Sequence, residues 1–468
     1  MEKRRLTKKE MWIFAVGQFG WSILGGIINA WLVTFYLPVK SDLENGAVQF
    51  IKPGLVVAGV LTVLGIITAV CRIFDAVTDP WIASLSDKSK NPKGRRIPFM
   101  RRAAIPFAVV TVLLFCAPVK AISSINTFWI LGFLILFYLF MTMYCTPYNA
   151  LISEFGKTQE DRMFISTAIS LTYFGGLVLS YTPFVFAGML RGVVGFNWSY
   201  RICFIVLAVI ALIAMLIPTF LLNETEIVEG TPSESNMMKS LASTFKNKSF
   251  LIFVLSDIAY WIGLTLYQTG MPFFVKVSME LPESYTMIFL AGMTILSACF
   301  YGIVSKMVSK WGKKKLVITG FIGLALAYVV TALIGLLPIP SMVYGILMVV
   351  IAALPMALLG IIPQAIVADI AEEEAIVTGE NRQGMFFAAR TFAMKMGQSI
   401  SMLLFTSLAI LGASQDLTSN DISASSYGLR IVSICAIVFC IGGALILSLY
   451  NEKKVMKTLE SKKGDLNG

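Results

Sequence analysis

The chain has 468 residues, 57% of them hydrophobic and 14% charged, with a net charge of +11. Soluble domains carry about 25% charged residues, and apolar runs of about 20 residues recur here along the whole length. A water-soluble protein is therefore excluded and an all-α polytopic membrane protein implied. There is no histidine, which removes the commonest zinc ligand and the usual general base together. The seven cysteines lie in apolar segments without paired spacing and imply neither disulfides nor a metal site.

In chain order, apolar segments at 11–37, 53–84, 103–120, 125–153, 163–190, 200–222, 249–277, 284–308, 314–337, 341–372, 382–412 and 426–450 predict twelve transmembrane helices. The first is too long for a signal-peptide core and lacks a small-residue cleavage site. Between spans one and two, Pro38–Pro53 forms a longer loop. The polar stretch 223–248 divides the chain into an N-terminal six-helix bundle (1–222) and a C-terminal one (249–450), with a tail at 451–468. This six-plus-six layout is the major facilitator architecture, whose substrate site lies between the halves. Positive charge clusters at Lys3–Lys9, Lys88–Arg102, Lys306–Lys315 and Lys453–Lys463, all on one side of twelve spans. The positive-inside rule then puts both termini in the cytoplasm of a multi-pass inner-membrane protein and explains the net charge without nucleic acid. The basic loops SDKSKNPKGRRIP and SKWGKKK occupy equivalent places in the two halves and point to an internal repeat.

Charges at bilayer depth are few, and each carboxylate there costs roughly 2.5–3.5 kcal/mol on insertion scales. On span two, Arg72, Asp75 and Asp79 are spaced three and four apart and share one helix face, beside Thr78. Carboxylates with hydroxyls form a hard-oxygen site suited to Na⁺, and close carboxylates can instead share a proton. A buried salt bridge to Arg72 is the purely structural reading. On span eleven, Arg390 and Lys395 offer positive charge that would neutralise the acidic pair or bind a substrate hydroxyl or carboxylate; snorkelling toward headgroups is the alternative. Asp257 on span seven sits near Trp261 and Gln268, a mixture that suits a pyranose: an aromatic face for C–H groups, carboxylate and amide for hydroxyls. Span one adds Trp21, Ser22 and Asn29, and span four adds Cys145, Tyr148 and Asn149. No GxxxxGK[ST] phosphate loop is present, so ATP does not drive this chain directly.

RIFDAVTDP followed by KGRRIP, CTPYNAL on span four and VADIAEEEAIVTGENRQGMFFAARTFAMKMG resemble the glycoside–pentoside–hexuronide:cation symporter family over most of the chain. The resemblance implies a cation site at Asp75 and Asp79, with Thr78 as intervening ligand and Thr142 joining from helix four. It implies charge balance by Arg72 and Lys395, and a cytoplasmic gate pairing Arg162 with Asp369 and Glu372. Where the family's galactoside transporter carries its sugar-binding charges, this chain reads Ser22, Cys145 with Asn149, and Ser170, so the sugar differs. Arg390 replaces a glutamine there and hints at an acidic substrate such as a hexuronide. The expectation is Na⁺- or H⁺-coupled symport of a sugar or glycoside by a monomer in the lipid bilayer, with no cofactor beyond the coupling ion. The alternatives are a facilitator-fold transporter of an amino acid, peptide or drug, and a transporter-like sensor; no nucleophile–base–metal set supports an enzyme.

Overall fold

A computed structural model describes residues 4–55, 61–87, 89, 91–156, 158–227, 244–378, 383–413 and 423–467. Its long helices are α1 (Lys8–Tyr36), α2 (Val63–Asp87), α3 (Ile97–Leu114), α4 (Ser124–Phe155), α5 (Gln159–Ser180), α6 (Phe196–Leu221), α7 (Lys248–Phe273), α8 (Ser284–Trp311), α9 (Lys313–Ala332), α10 (Ser341–Thr378), α11 (Gln383–Leu408) and α12 (Ser426–Ser448). A helix satisfies all its backbone groups internally, which hydrocarbon demands. Among the described residues, ten spans are long and apolar enough to cross a membrane. The two long helices outside that set are α2 and α11, which carry Arg72, Asp75, Asp79, Arg390 and Lys395.

Local sequence sets many of the helix starts. Thr7 and Glu10 form a reciprocal capping box on α1, Asn247 caps α7 through the Phe250 N–H, and Ser425 caps α12 through the Gly428 N–H. The second span starts at Val63 rather than near residue 53, because Pro53 and Gly54 lie in non-helical chain. The fifth predicted span is two helices: after α5 the chain turns at Tyr181–Thr182, and Pro183 opens a second helix, Pro183–Val194. Of the 223–248 linker, 228–243 lies outside the described residues. The tail forms a helix, Glu452–Asn467.

The chain forms two compact units. The first comprises 1–235 with 282–288 and 414–424; the second takes the remainder. Inside the first, α1 packs on α5 and α6, and α3 on α4 and α6. Inside the second, α7 packs on α11 and α12, and α9 on α10 and α12. The same helix pairs thus meet in both units, as an internal repeat requires. Large apolar side chains point outward on α6 (Val206, Val209, Ile213) and α12 (Ile434, Val438, Ile441), an arrangement tolerable only against lipid.

The repeat extends to a carboxylate held at a helix N-terminus. Glu224, just past α6, accepts from the backbone N–H groups of Arg95, Arg96 and Ile97 at 2.8–2.9 Å, at the start of α3. Glu452, just past α12, accepts from those of Lys313 and Lys314 at 2.7 and 3.1 Å, at the start of α9. Each carboxylate meets otherwise orphaned donors and the positive end of the helix dipole. Gly94 and Gly312 precede these helices with φ of +109° and +78°, and a Cβ at Gly94 would collide with the Glu224 carboxylate. Glu224→Gln and Glu452→Gln should each cost about 1–2 kcal/mol. The melting temperature in detergent should fall for each single variant and add in the double, since the sites lie in separate units. An unchanged melting temperature in the double variant would refute this anchoring role.

Candidate functional site

The first unit contains a polar cluster built on α2 and α4, which pack together. Asp75 and Asp79 lie one turn apart on α2; Asp75 is fully buried and Asp79 half-buried. Facing them, Thr142 and Thr146 lie one turn apart on α4. The Thr142 hydroxyl stands 3.0 Å from Asp75 Oδ1 and 3.1 Å from Asp79 Oδ1. With one proton to donate, it bridges the two carboxylates by serving them in turn. Thr146 Oγ1 reaches Asp79 Oδ1 at 3.5 Å. Thr78 does not turn its hydroxyl to the carboxylates: it donates to the Asp75 carbonyl oxygen at 3.0 Å, the usual local bond of a threonine inside a helix. Thr146, not singled out for this site from sequence, supplies the second facing hydroxyl; its signal was the four-residue step from Thr142.

Arg72 completes the cluster. Its guanidinium stands 3.7 Å from Asp75 Oδ2, donates to Asn29 Oδ1 at 3.2 Å, and lies 4.7 Å from the Tyr138 ring centroid. Two carboxylates, one guanidinium and two hydroxyls thus converge at one level of the first unit. Among the described residues no group of three His, Cys, Asp or Glu side chains converges, so the oxygen set suits a monovalent cation or a proton, not a transition metal.

Asn29 joins this cluster to one face of α1. Trp21, Gly25 and Asn29 follow at four-residue steps and share a stripe. A Cβ at Gly25 would meet nothing within 4 Å, so the stripe is open at that step. The Trp21 indole N–H is buried and has no acceptor among the described residues. Trp261 stands at the same step from the start of α7 as Trp21 does in α1, and its indole N–H is likewise without an acceptor. A ligand hydroxyl on each would relieve the cost of a desolvated donor. Gln268 lies two turns beyond Trp261 and is half-buried.

In the second unit, Asp257 and Arg390 find each other. Arg390 Nε and Nη2 donate to Asp257 Oδ2 and Oδ1 at 2.9 and 3.1 Å, a bidentate pair between α7 and α11. Their side chains are 1% and 11% exposed. Neither charge is then available to a substrate, which corrects the expectation that Arg390 marks an acidic ligand. Gly397 brings α11 close to α7 here: a Cβ would stand 2.9 Å from the Ile258 carbonyl oxygen. Lys395 is also buried on α11.

Other expected contacts serve packing. Ser22 is buried, donating to the Gln18 carbonyl at 2.6 Å and accepting from the Gln18 amide. Tyr148 is buried, stacked on Phe14 and donating to its carbonyl at 2.9 Å. Ser170 is exposed and donates to the Ser166 carbonyl. Cys145 is half-buried and Asn149 exposed on α4. Of the expected gate, Asp369 is bonded to Lys313, Glu372 is exposed, and the Arg162 side chain lies outside the described residues.

If Asp257–Arg390 braces helices, Arg390→Met should destabilise by about 3–5 kcal/mol by leaving a buried carboxylate unpaired. Asp257→Leu/Arg390→Met should recover most of that stability. A double variant as unstable as Arg390→Met, measured by melting in detergent, would refute the brace.

The chain matches the MFS/sugar transport protein family over residues 13–453. The uncharacterised symporter YjmB of Bacillus subtilis (strain 168) is 25% identical over 413 residues, covering 86% of this chain and 83% of the relative. The isoprimeverose transporter of Lactiplantibacillus pentosus is 21% identical over 326 residues, covering 69% and 64%. The crystal structure of nucleoside transporter NupG superposes with a TM-score of 0.62 at 14% identity, covering 95% of this chain and 99% of that one, which is agreement in fold. The twelve long helices accordingly form a major facilitator fold. Since the matched span takes in all twelve helices and both charged ones, the chain belongs to the MFS/sugar transport protein family.

Proposed function

We propose that this chain is a cation-coupled symporter of a sugar or glycoside in a cell's inner membrane, with both termini cytoplasmic. The carrying observation is the Thr142-bridged pair Asp75–Asp79 inside an apolar bundle of a sugar-transporter family member. A monovalent cation, Na⁺ or H⁺, travels as co-substrate and offsets carboxylate charge in that cluster. Neutrality matters because moving an unbalanced charge through a low-dielectric region is disfavoured, so the empty-cation state with sugar bound is suppressed.

The route from cation to sugar runs through Arg72. With the site empty, the guanidinium is shared between Asp75 and Asn29. A cation on the carboxylates weakens the pull of Asp75 on Arg72. The bond from Arg72 to Asn29 then changes, and with it the α1 stripe of Trp21, Gly25 and Asn29 on which a sugar packs. Trp21 presents an indole N–H for a ring hydroxyl and an aromatic face for the C–H side; Trp261 offers the same chemistry in the second unit. Lys395, buried on α11, is the lysine that balances carboxylate charge when no cation is bound. Linkage makes the coupling reciprocal: sugar tightens the cation by the factor by which the cation tightens sugar.

The test is melting of purified protein against glycosides, pentosides and hexuronides, in NaCl and in choline chloride at equal ionic strength and at two pH values. A sugar-dependent rise that grows with Na⁺, or with acidity, is expected, and should vanish in Asp75→Asn and Asp79→Asn. No rise with any sugar under any of these conditions, in folded protein, would overturn the reading. Asn29→Ala should keep both ligands binding but cut their mutual effect from about 5–150-fold toward onefold, read as sugar affinity with and without the coupling cation. Unchanged coupling in that variant would remove Asn29 from the route.

A further inference from the structure

The first unit has a cleft of about 770 Å³ between the start of α3 and the end of α6, lined by Asn91, Lys93, Arg101, Arg102, Phe220 and Asn223 among others. One wall is basic and the other apolar. Phe220 and Leu221 are 64% and 62% exposed at the last turn of an apolar span, so they face hydrocarbon rather than water. The cleft therefore sits where headgroups meet acyl chains.

Among the described residues, its positive charge is not fully neutralised. Glu224 is engaged by the backbone of Arg95, Arg96 and Ile97; Glu226 is bonded to Arg4, which holds its carboxyl below the usual range; Glu154 pairs with Arg95 and Arg96. Among the described residues, Lys93 and Arg102 have no acidic partner. Arg101 donates to the Thr219 carbonyl and stacks 4.2 Å from the Phe220 ring, yet its buried Nε has no acceptor. The repeat supplies an internal comparison. A groove between α9 and α12, deeper in the span than this cleft, is lined by Ile318, Phe321, Ile322, Ile441 and Leu445. Nearby Lys313 and Lys314 are engaged by Asp369 and by the Ser448 and Tyr450 carbonyls.

We infer that this cleft binds the phosphate headgroup of an anionic phospholipid, with Lys93, Arg101 and Arg102 on the phosphate and the acyl chains along Phe220 and Leu221. Free phosphate shares the headgroup chemistry but has no use for the apolar wall. Basic pockets beside transmembrane helices attract such headgroups, each Lys or Arg near the surface strengthening binding about fivefold.

The test compares melting of the full chain in detergent with added dioleoylphosphatidylglycerol, dioleoylphosphatidylcholine or inorganic phosphate. A rise with phosphatidylglycerol alone is expected. Lys93→Gln/Arg102→Gln, at two exposed positions, should leave the lipid-free melting temperature unchanged and weaken the phosphatidylglycerol effect by more than about tenfold in the concentration required. Lys310→Gln/Lys315→Gln, exposed in the equivalent loop of the second unit, should keep the full effect. Equal rises with both lipids, a full effect in Lys93→Gln/Arg102→Gln, or equal loss in both double variants would overturn the site. Inorganic phosphate reproducing the whole rise would overturn its assignment to lipid.

Discussion

A bilayer cannot solvate charge, and the use of each buried ionisable group in this chain follows from that constraint. Two clusters answer it differently. Asp257 and Arg390 balance one for one in a bidentate geometry, so the cluster is closed and holds α7 to α11. At Asp75 and Asp79 two carboxylates one turn apart meet the hydroxyls of Thr142 and Thr146 and the Arg72 guanidinium, an oxygen-rich group rather than one bidentate pair.

The internal repeat shows what the fold needs and what it leaves free. Both units pair the same helices, and both seat a glutamate on a helix start beside a positive-φ glycine. Those features recur because every six-helix unit must satisfy helix ends near the membrane surface. The cation cluster has no such recurrence: α2 carries it, and the corresponding α8 is apolar across its span. The indoles of Trp21 and Trp261 recur in position, and a donor desolvated twice at equivalent steps is hard to explain by packing.

Within the first unit, the cation cluster and the α1 stripe are adjacent in space but separate in chemistry. Carboxylates and hydroxyls come from α2 and α4, while the α1 stripe presents an aromatic face and an amide. Arg72 touches both through Asp75 and Asn29. A side chain with several donors in a rigid planar fork can be redistributed between partners without leaving the cluster, which a lysine at the same position would do less well.

The twelve spans, the shared face of Asp75 and Asp79, and the basic loops whose equivalence the paired Gly94 and Gly312 turns express were legible from residue order alone. Those are local properties: run length, helical step and charge in a loop are written in neighbouring residues. What residue order misses has one cause. Adjacency does not reveal Thr146, which faces the pair from another helix beside Thr142, the partner the family resemblance implied; nor does it show that the Thr78 hydroxyl donates to the Asp75 carbonyl. Arg390 looks free in the sequence because its partner Asp257 stands 133 residues away. Tyr148 and Ser22 look like lining residues until helix packing buries them. Which charges meet is settled by packing, because partner choice depends on which helix faces are pressed together, and distance along the chain carries no information about that.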